Sequence, residues 1–365
     1  MNMKPIVIIA VGIGIFIFSN NPHITNNKQI NVGVILPMTG NMSAIGEDMK
    51  TGMELAFSNS PEFSVSYEDN MSDVKSEVSA YRKLQAVSVP SVIVSAGIGD
   101  MAVIPLAEED KTPLILTVSS ASGIPKMGEY IFRYFTNADI DAPVMARYAT
   151  KELGLKNFAV LYLQDQFSLD YKNIFEKNIA SNGGKIVASE GFQYTDFDFR
   201  TQLTKLQQHK FDSIYLIGLD YQLVTAIKQI KAMGIKAQII SVGTIATKDS
   251  IQKAGPDIDG TYVTAFCTDG APNEYVKKYQ EKYGRYPGFF SEFGYDIGQM
   301  IIAAGQNSNG NKETIKSNLL KIRDFPGNSG LISSDQYGEM AVPVCIKKIT
   351  DGKIFNTATR KYSNY

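Results

Sequence analysis

Hydrophobic and polar positions divide this chain into short apolar runs separated by longer segments with helical spacing. The first apolar run, residues 30–36, is rich in β-branched residues and ends at Pro37, which cannot continue a central strand. Turn formers occupy residues 37–46, and Met49 and Met53 then follow at helical spacing. The stretch therefore predicts a strand, a loop and a helix. Because ligands of open α/β sheets bind beyond the carboxyl ends of the strands, this loop is the first candidate for a binding site.

The same alternation of strand and helix continues along the chain. Further strands are predicted at residues 63–67, 91–95, 113–118, 158–163, 185–190, 213–217, 238–242 and 261–266, and further helices at residues 73–86, 101–109, 142–153, 170–181, 199–207, 221–233, 273–283, 292–304 and 312–322. This pattern predicts parallel strands with right-handed crossovers and helices on both faces. It restarts after Arg133, so we expect two similar α/β halves, then a third set of elements and a tail of strands and turns beyond Gly327.

Length and charge narrow the class of protein. A chain of 365 residues is large for one compact domain and suits two lobes, and its 44% hydrophobic residues can build a substantial core. The 36 basic and 37 acidic residues leave a formal net charge of −1. No field of one sign therefore points to nucleic acid or to a polyanionic substrate, and we expect no nucleic-acid partner.

The N-terminal residues have the pattern of an export signal. Lys4 precedes an apolar run, residues 5–18, that is short for a membrane span and matches the hydrophobic region of a secretory signal. No small-x-small cleavage site precedes Asn20, and no cysteine follows the run to carry a lipid. A cleaved signal peptide and a retained membrane anchor therefore both stay open. With the polar linker 20–29, residues 1–29 stand apart from the folded body.

The cysteines and histidines match no known catalytic or metal-binding spacing. Cys267 and Cys345 lie far apart in the sequence, and both a pair of buried thiols and a disulfide stay open. His23 lies in the linker and His209 in a polar turn before a strand, where solvated side chains are expected. We therefore predict neither a metal site nor catalytic residues.

One motif is compatible with a nucleotide-dependent enzyme. Gly97, Gly99 and Ala102 fit G-x-G-x-x-A between a predicted strand and a predicted helix. A dinucleotide site also needs an acidic residue about 20 positions on, but residues 117–120 carry no carboxylate. We therefore expect no cofactor, and a Rossmann-type enzyme stays as the alternative from another functional class.

Short motifs occur in a fixed order between residues 30 and 355. They are VGVILPMTG at 32–40, IFR at 131–133 followed by Asp139, Asp198 and Phe199 with Lys205, FDSIY at 211–215, Tyr283 and Gly284 with Pro287, GYD at 294–296, and GLISSDQYG at 330–338. Their order and spacing resemble the leucine/isoleucine/valine-binding family of extracytoplasmic solute receptors. The resemblance implies the type I periplasmic-binding-protein fold, in which two Rossmann-like α/β lobes with mostly parallel sheets are joined by a three-crossing hinge. Lobe 1 would comprise residues 30–134 and 265–325, and lobe 2 residues 135–264 and 326–365.

The resemblance also implies a ligand site in the cleft between the lobes. The expected ligand-binding residues are Ile45, Gly99, Asp100, Ser120, Ala121, Ser122, Asp139, Phe167, Leu219, Asp220 and Thr244. Ser120 to Ser122 fit the family's hydroxyl pair after the fourth strand, and their hydroxyl and backbone N–H groups could bind an anion or a carbonyl. Asp139 fits the family's polar contact near the first crossing.

Several positions depart from the family pattern. Gly99 stands where a serine binds the carboxylate of an amino acid, and Gly243 or Thr244 stands where an acid pairs with the ammonium. Ile45 and Phe167 replace an aromatic residue and a tyrosine. Asp100 and Asp220 are the alternative ammonium partners, and without them the departures favour a less charged ligand, such as an amide, a small carboxylate or an aromatic acid.

These observations predict a monomeric, noncatalytic receptor in the periplasm or on the outer face of the cytoplasmic membrane. It would trap an amino-acid-like, carboxylate or amide ligand by hinge closure and deliver it to an ABC permease. The alternative within the same class is a sensing ectodomain anchored by the N-terminal segment.

Overall fold

The computed structural model describes residues 29–267, 274–328, 330–341 and 344–357. The predicted export signal, residues 1–28, lies outside this part of the chain. The described elements confirm the predicted α/β class with mostly parallel sheets. None of the helices in this part of the chain combines the length and the hydrophobicity that a membrane crossing requires.

The elements follow one another in a largely alternating order. The strands are β1 (Ile30–Leu36), β2 (Phe63–Asp69), β3 (Val92–Ala96), β4 (Leu114–Thr117), β5 (Ile131–Arg133), β6 (Asn157–Leu163), β7 (Lys185–Phe192), β8 (Ser213–Ile217), β9 (Gln238–Ser241), β10 (Tyr262–Phe266), β11 (Phe325–Gly327), β12 (Gly330–Ser334), β13 (Met340–Ala341), β14 (Val344–Thr350) and β15 (Lys353–Asn356). The helices are α1 (Ser43–Ala56), α2 (Val74–Val87), α3 (Asp100–Glu109), α4 (Ala138–Lys151), α5 (Gln166–Ser181), α6 (Arg200–Leu206), α7 (Asp220–Ala232), α8 (Lys248–Ala254), α9 (Glu274–Tyr283), α10 (Phe289–Gly305) and α11 (Lys312–Leu320).

The first sheet contains five parallel strands in the order β2-β1-β3-β4-β5. Successive residues of β1 alternate between two cores: Val34 and Leu36 lie in one, and Ile35 lies in the other. All three side chains are fully buried. A strand that is covered on both faces is apolar along almost its whole length, which explains the run that opens the sequence pattern.

Helices α1 and α10 pack with their backbones in contact. An added Cβ at Gly52 would lie 1.9 Å from the carbonyl oxygen of Ser291, and one at Gly294 would lie 2.2 Å from the carbonyl oxygen of Met49. Only glycine allows so close an approach. This contact attaches the third set of elements to the unit built on the first sheet.

The second sheet contains seven strands in the order β15-β14-β10-β9-β8-β6-β7. Strands β6 to β10 run parallel, and β14 pairs antiparallel with both β10 and β15. Because Ala265 and Phe266 pair with Cys345 and Val344 in this sheet, the predicted lobe boundary at residue 265 falls inside one of its strands.

A small antiparallel sheet, β11-β12-β13, packs on the first unit. Ile332 and Met340 share a core with β1, and Arg133 forms an isolated bridge with Glu339. The sequence prediction placed the whole of residues 326–365 in the second lobe. The structure differs, since β12 and β13 pack with the first sheet while β14 and β15 belong to the second. Strand periodicity reveals a buried face but not which sheet covers it, so the sequence pattern could not locate this boundary.

Helices α4 and α5 both begin earlier than predicted. The side chain of Asn137 accepts a hydrogen bond from the Asp139 amide and caps α4, and Asp165 accepts one from the Ser168 amide and caps α5. Such caps satisfy backbone N–H groups that have no partner within the helix, so they begin helices in polar segments that lack an apolar pattern. Helix α8 and the three-residue strand β5 were not predicted as elements, because short elements carry little periodicity.

Cys267 and Cys345 form a disulfide, with their Cα atoms 5.0 Å apart. This resolves the alternative that the sequence left open. The bond connects the residue after β10 with the second residue of β14, which are neighbouring strands of the second sheet.

Candidate functional site

The chain passes between the two large sheets at three places. Residues 134–137 lead from β5 to α4, residues after Cys267 lead from β10 to α9, and residues after Ala341 lead from β13 to β14. Residues 268–273 and 342–343 lie outside the described part. The loops at the carboxyl ends of the parallel strands contain most of the residues that the sequence predicts for the ligand site.

The loop after β4 is fixed by the buried side chain of Arg133. The guanidinium is fully buried, and its Nη1 donates hydrogen bonds to the carbonyl oxygens of Ala121 and Ser119. Val118 has a φ of 62°, a conformation that a β-branched residue rarely adopts. Strained residues of this kind are concentrated at functional sites, because the surrounding contacts must hold them. The loop is therefore held in one conformation, with Ser120 half-buried and Ser122 exposed beside it.

Arg133 also pairs with Glu339 beside β13. Its Nε lies 3.0 Å from Glu339 Oε1 and 3.1 Å from Oε2, and Nη2 donates to Oε2 as well. Burial raises the pKa of Glu339, and the charge and hydrogen bonds of Arg133 oppose that rise. One buried cation thus connects the small sheet with the loop that contains Ser120 and Ser122. The available signal in the sequence was an arginine inside the apolar run 131–135.

The loop after β3 is held from inside the lobe. The Gly99 amide donates to Oε2 of Glu77 at 2.9 Å, and Glu77 is fully buried on α2. Asp100 is only 1% exposed beside it, and burial together with the negative charge of Glu77 raises the pKa of Asp100 well above its usual range. In this conformation Asp100 is not accessible to a ligand, contrary to its predicted role as an ammonium partner. The sequence prediction missed Glu77, which has no distinguishing local pattern.

The first crossing leads to a buried carboxylate, Asp141, in the first turn of α4. Asp141 accepts hydrogen bonds from the hydroxyls of Thr136, of Tyr171 at 2.8 Å and of Thr264 at 3.5 Å. Burial raises the pKa of Asp141 to about 6, although the three hydroxyls lower it. Asp139, the predicted contact, lies exposed on the first turn of the same helix.

An aromatic cluster connects the crossings with the first unit. The ring of Phe266, at the end of β10, lies 4.8 Å from that of Phe293 on α10 and 6.4 Å from that of Phe135 in the first crossing. The rings of Phe135 and Phe293 are 5.8 Å apart. The first crossing and the end of β10 are thus packed against α10 through one aromatic cluster.

In the second unit the predicted residues lie in the loops after β8 and β9 and in the first turns of α5 and α7. The half-buried ring of Phe167 packs on Tyr171 with centroids 4.7 Å apart. The Thr244 hydroxyl donates to the Gly218 carbonyl at 2.8 Å, which ties the loop after β9 to the loop after β8. Asp220 accepts the Tyr221 amide at 2.8 Å and the Ser250 hydroxyl at 3.3 Å.

A family model described as "Periplasmic binding protein" matches residues 29–353. The chain belongs to the periplasmic binding protein family. This family consists of extracytoplasmic solute-binding proteins, in agreement with the resemblance that the sequence motifs indicate.

Several known solute-binding proteins are similar to this chain over most of its length. Leu/Ile/Val-binding protein homolog 2 of Brucella abortus (strain 2308) is 26% identical over 352 residues, which covers 90% of this chain and 93% of that protein. A branched-chain amino acid transporter substrate binding protein from Streptococcus pneumoniae, in complex with isoleucine, has a TM-score of 0.74 and 24% identity, covering 90% of this chain and 98% of that one. An ABC transporter solute binding protein from R. palustris, in complex with benzoate, has a TM-score of 0.73 and 21% identity, covering 90% and 95%. These similarities confirm the type I fold.

The predicted site residues of this periplasmic binding protein fall into two groups. Ser120, Ala121 and Ser122 share one fixed loop, whereas Phe167, Leu219, Asp220 and Thr244 line the loop edge of the second sheet. Ile45, half-buried in the first turn of α1, packs against the core of the first unit. The arrangement offers hydroxyl and amide hydrogen-bond donors on one unit and an aromatic ring with partly engaged polar groups on the other.

Proposed function

We propose that the protein is a noncatalytic receptor that binds a small solute between two lobes and delivers it to an ABC permease. The observation that carries the proposal is the triple passage of the chain between two α/β units whose strand-end loops contain the predicted site. We place residues 30–134, 274–328 and 330–341 in one lobe, and residues 135–267 and 344–357 in the other. Family membership supports this assignment.

Closure of the lobes would be driven by the ligand. A solute that contacts loops of both lobes stabilises the closed state relative to the open one, and the equilibrium shifts only by its difference in affinity for the two states. The packed aromatic rings of Phe135, Phe266 and Phe293 suit a hinge that bends at a few residues while its surroundings stay rigid.

The ligand that we propose carries less charge than a zwitterionic amino acid. Asp100 is buried, and burial together with the neighbouring Glu77 raises the pKa of Asp100 well above its usual range, while Asp220 already accepts two hydrogen bonds. A buried ammonium without a carboxylate partner costs several kcal/mol. The donors of the Ser120–Ser122 loop and the ring of Phe167 suit an amide, a small carboxylate or an aromatic acid.

We further propose that the receptor acts as a monomer outside the cytoplasmic membrane. The second candidate, an anchored sensing ectodomain, is favoured by one observation, the absence of a small-x-small cleavage site before Asn20. Release of the mature protein from membranes without detergent would separate the two.

Small-angle scattering and thermal unfolding test the receptor function together. A panel of amino acids, their amides, benzoate and related acids is screened for compounds that raise the melting temperature in a concentration-dependent way, since a ligand of the folded state stabilises it by mass action. A compound that raises the melting temperature should also reduce the radius of gyration. A compound that binds tightly and leaves this radius unchanged would contradict hinge closure.

A further inference from the structure

The loop after β3, residues 97–99, is attached to a single carboxylate on α2. Oε1 of Glu77 accepts the hydroxyl of Ser95 at 2.6 Å, and Oε2 accepts the amide of Gly99 at 2.9 Å. Both Glu77 and Ser95 are fully buried. Two donors at the carboxyl end of a parallel strand, where a ligand is expected, are therefore already bound to an anion of the protein.

The two glycines of this loop are required by the same carboxylate. An added Cβ at Gly97 would lie 2.4 Å from Nδ2 of Asn70 and 2.5 Å from Oε2 of Glu77, and one at Gly99 would lie 2.6 Å from the same Glu77 oxygen. Each distance is too short for a side chain, so Glu77 and both glycines form one packing unit. This contact accounts for the G-x-G spacing without a nucleotide.

The other neighbours of Glu77 are an amide and a second carboxyl group. Nδ2 of Asn70 donates to the Ala96 carbonyl at 2.9 Å and lies 3.5 Å from Oε2 of Glu77. The third neighbour of the Glu77 carboxylate is therefore a neutral amide. Asp100 is buried next to Glu77, and burial together with the charge of Glu77 raises the pKa of Asp100 well above its usual range. Glu77 therefore has no cationic partner among the hydrogen bonds that the described residues make.

We propose that Glu77 is a specificity-determining residue that prevents the loop after β3 from binding the carboxylate of a ligand. It acts from behind the loop, by occupying the Gly99 amide and the Ser95 hydroxyl and by repelling a second anion. This inference rests on the proposed receptor function and narrows its ligand. A carboxylate of the ligand, where present, would bind at the loop of Ser120 and Ser122, and the group at the β3 loop would be uncharged.

The binding experiment compares acids with their amides. Benzoate with benzamide, and leucine with leucinamide, are titrated by calorimetry into the wild type and into Glu77→Gln, which keeps the shape and removes the charge. We expect Glu77→Gln to shift the affinity ratio of acid to amide toward the acid by about tenfold. Glu68→Gln is the matched control, because Glu68 is a carboxylate of the same lobe that pairs with Lys83 at 2.8 Å outside the loop. An unchanged ratio in Glu77→Gln would overturn the inference.

Hydrogen exchange tests the same inference without a ligand. In the wild type the Gly99 amide should exchange slowly although it lies in a loop, and Glu77→Ala should accelerate its exchange while the core strand β1 keeps its protection. Fast exchange of Gly99 in the wild type would overturn the inference even if the variants fail to fold. If none of the four compounds binds to the wild type or to Glu77→Gln, the proposed ligand class is wrong. The hydrogen-exchange result then decides by itself whether Glu77 holds the loop.

Discussion

Cys267 and Cys345 are bonded to each other at the point where two of the three chain crossings leave the second sheet. The bond closes a loop with a sequence separation of 78, and this loop contains α9 to α11 and the small sheet of the first unit. It therefore fixes the start and the end of one excursion of the chain into the other lobe. The two strands that carry the excursion are also paired through β10 and β14.

Replacing both cysteines should lower stability without changing the fold. For a loop of this length the chain-entropy model gives a loss of about 4 kcal/mol in the free energy of unfolding, with lower values common in practice. Urea unfolding of Cys267→Ser/Cys345→Ser measures the loss. A reductant should lower the unfolding free energy of the wild type to that of the variant and leave the unfolding free energy of the variant unchanged. Equal stability of oxidised and fully reduced wild type would contradict the prediction.

Asp141 should make stability depend on pH. Burial raises its pKa to about 6 in the folded protein, above the ordinary value of 3.8 for an aspartate, so the folded state binds the proton more tightly between these values. The stability contribution is therefore fully present below about pH 4 and is lost as the pH rises through about 6, with an upper limit of about 3 kcal/mol.

Asp141→Asn removes this titration and keeps an oxygen for the Tyr171 hydroxyl. The difference in unfolding free energy between the variant and the wild type should rise in favour of the variant from pH 4 to pH 7. Urea unfolding at several pH values measures it, and use of the difference cancels the other titrating groups. If the unfolding free energies of the two proteins changed with pH in parallel, Asp141 would have the same pKa in the folded and unfolded states, contrary to the prediction.

The sequence pattern predicts the helices and strands well, but it does not predict the contacts that fix the site. The apolar run of β1 and the helical spacing of α1 follow from local periodicity, and both appear in the structure. The bond from Gly99 to Glu77 joins residues 22 positions apart, and the pair of Arg133 with Glu339 joins residues 206 positions apart. Such contacts depend on which elements become neighbours, and no local pattern records that.

The candidate site shows the same limit in Asp100 and Asp141. Both are carboxylates at the start of a helix, and from the sequence each could be a solvated residue that favours the helix N-terminus. The structure buries both, and only the neighbouring α2 and α5 decide this. Asp139, two positions before Asp141, lies exposed because successive helical residues point to different faces.

Asp139 and Ser122 should contribute to ligand binding and little to folding. The side chain of Ser122 is exposed at the carboxyl edge of the first sheet, and that of Asp139 is exposed just after the first crossing. Removing either side chain should therefore leave the core intact. If they contact the solute, Asp139→Ala and Ser122→Ala should each weaken binding by about 1 to 3 kcal/mol through a lost hydrogen bond. Calorimetry with a compound from the screen measures the affinity, and urea unfolding provides the stability control. Normal binding by both variants would place the site elsewhere.

The chemistry of the ligand can be tested with the wild type alone. Branched-chain amino acids are compared by calorimetry with their amides and with their deaminated acids. Of the two predicted ammonium partners, Asp100 is buried, and the oxygens of Asp220 already accept the Tyr221 amide and the Ser250 hydroxyl. Removing the ammonium from the ligand should therefore not reduce the affinity.

We therefore expect an amide or a deaminated acid to bind at least as tightly as the parent amino acid. Leucine, isoleucine or valine binding at submicromolar concentrations, with the analogues silent, would contradict this expectation. In that event we expect Asp220 to pair with the ammonium, and Asp220→Asn should then lower the affinity for the amino acid strongly. Ser250→Ala is the matched variant, because it removes one donor from Asp220 but leaves its charge in place. Ser250→Ala, which removes the hydrogen bond, should preserve or raise the affinity for the amino acid. Asp220→Asn, which removes the carboxylate, would leave the ammonium buried without a partner.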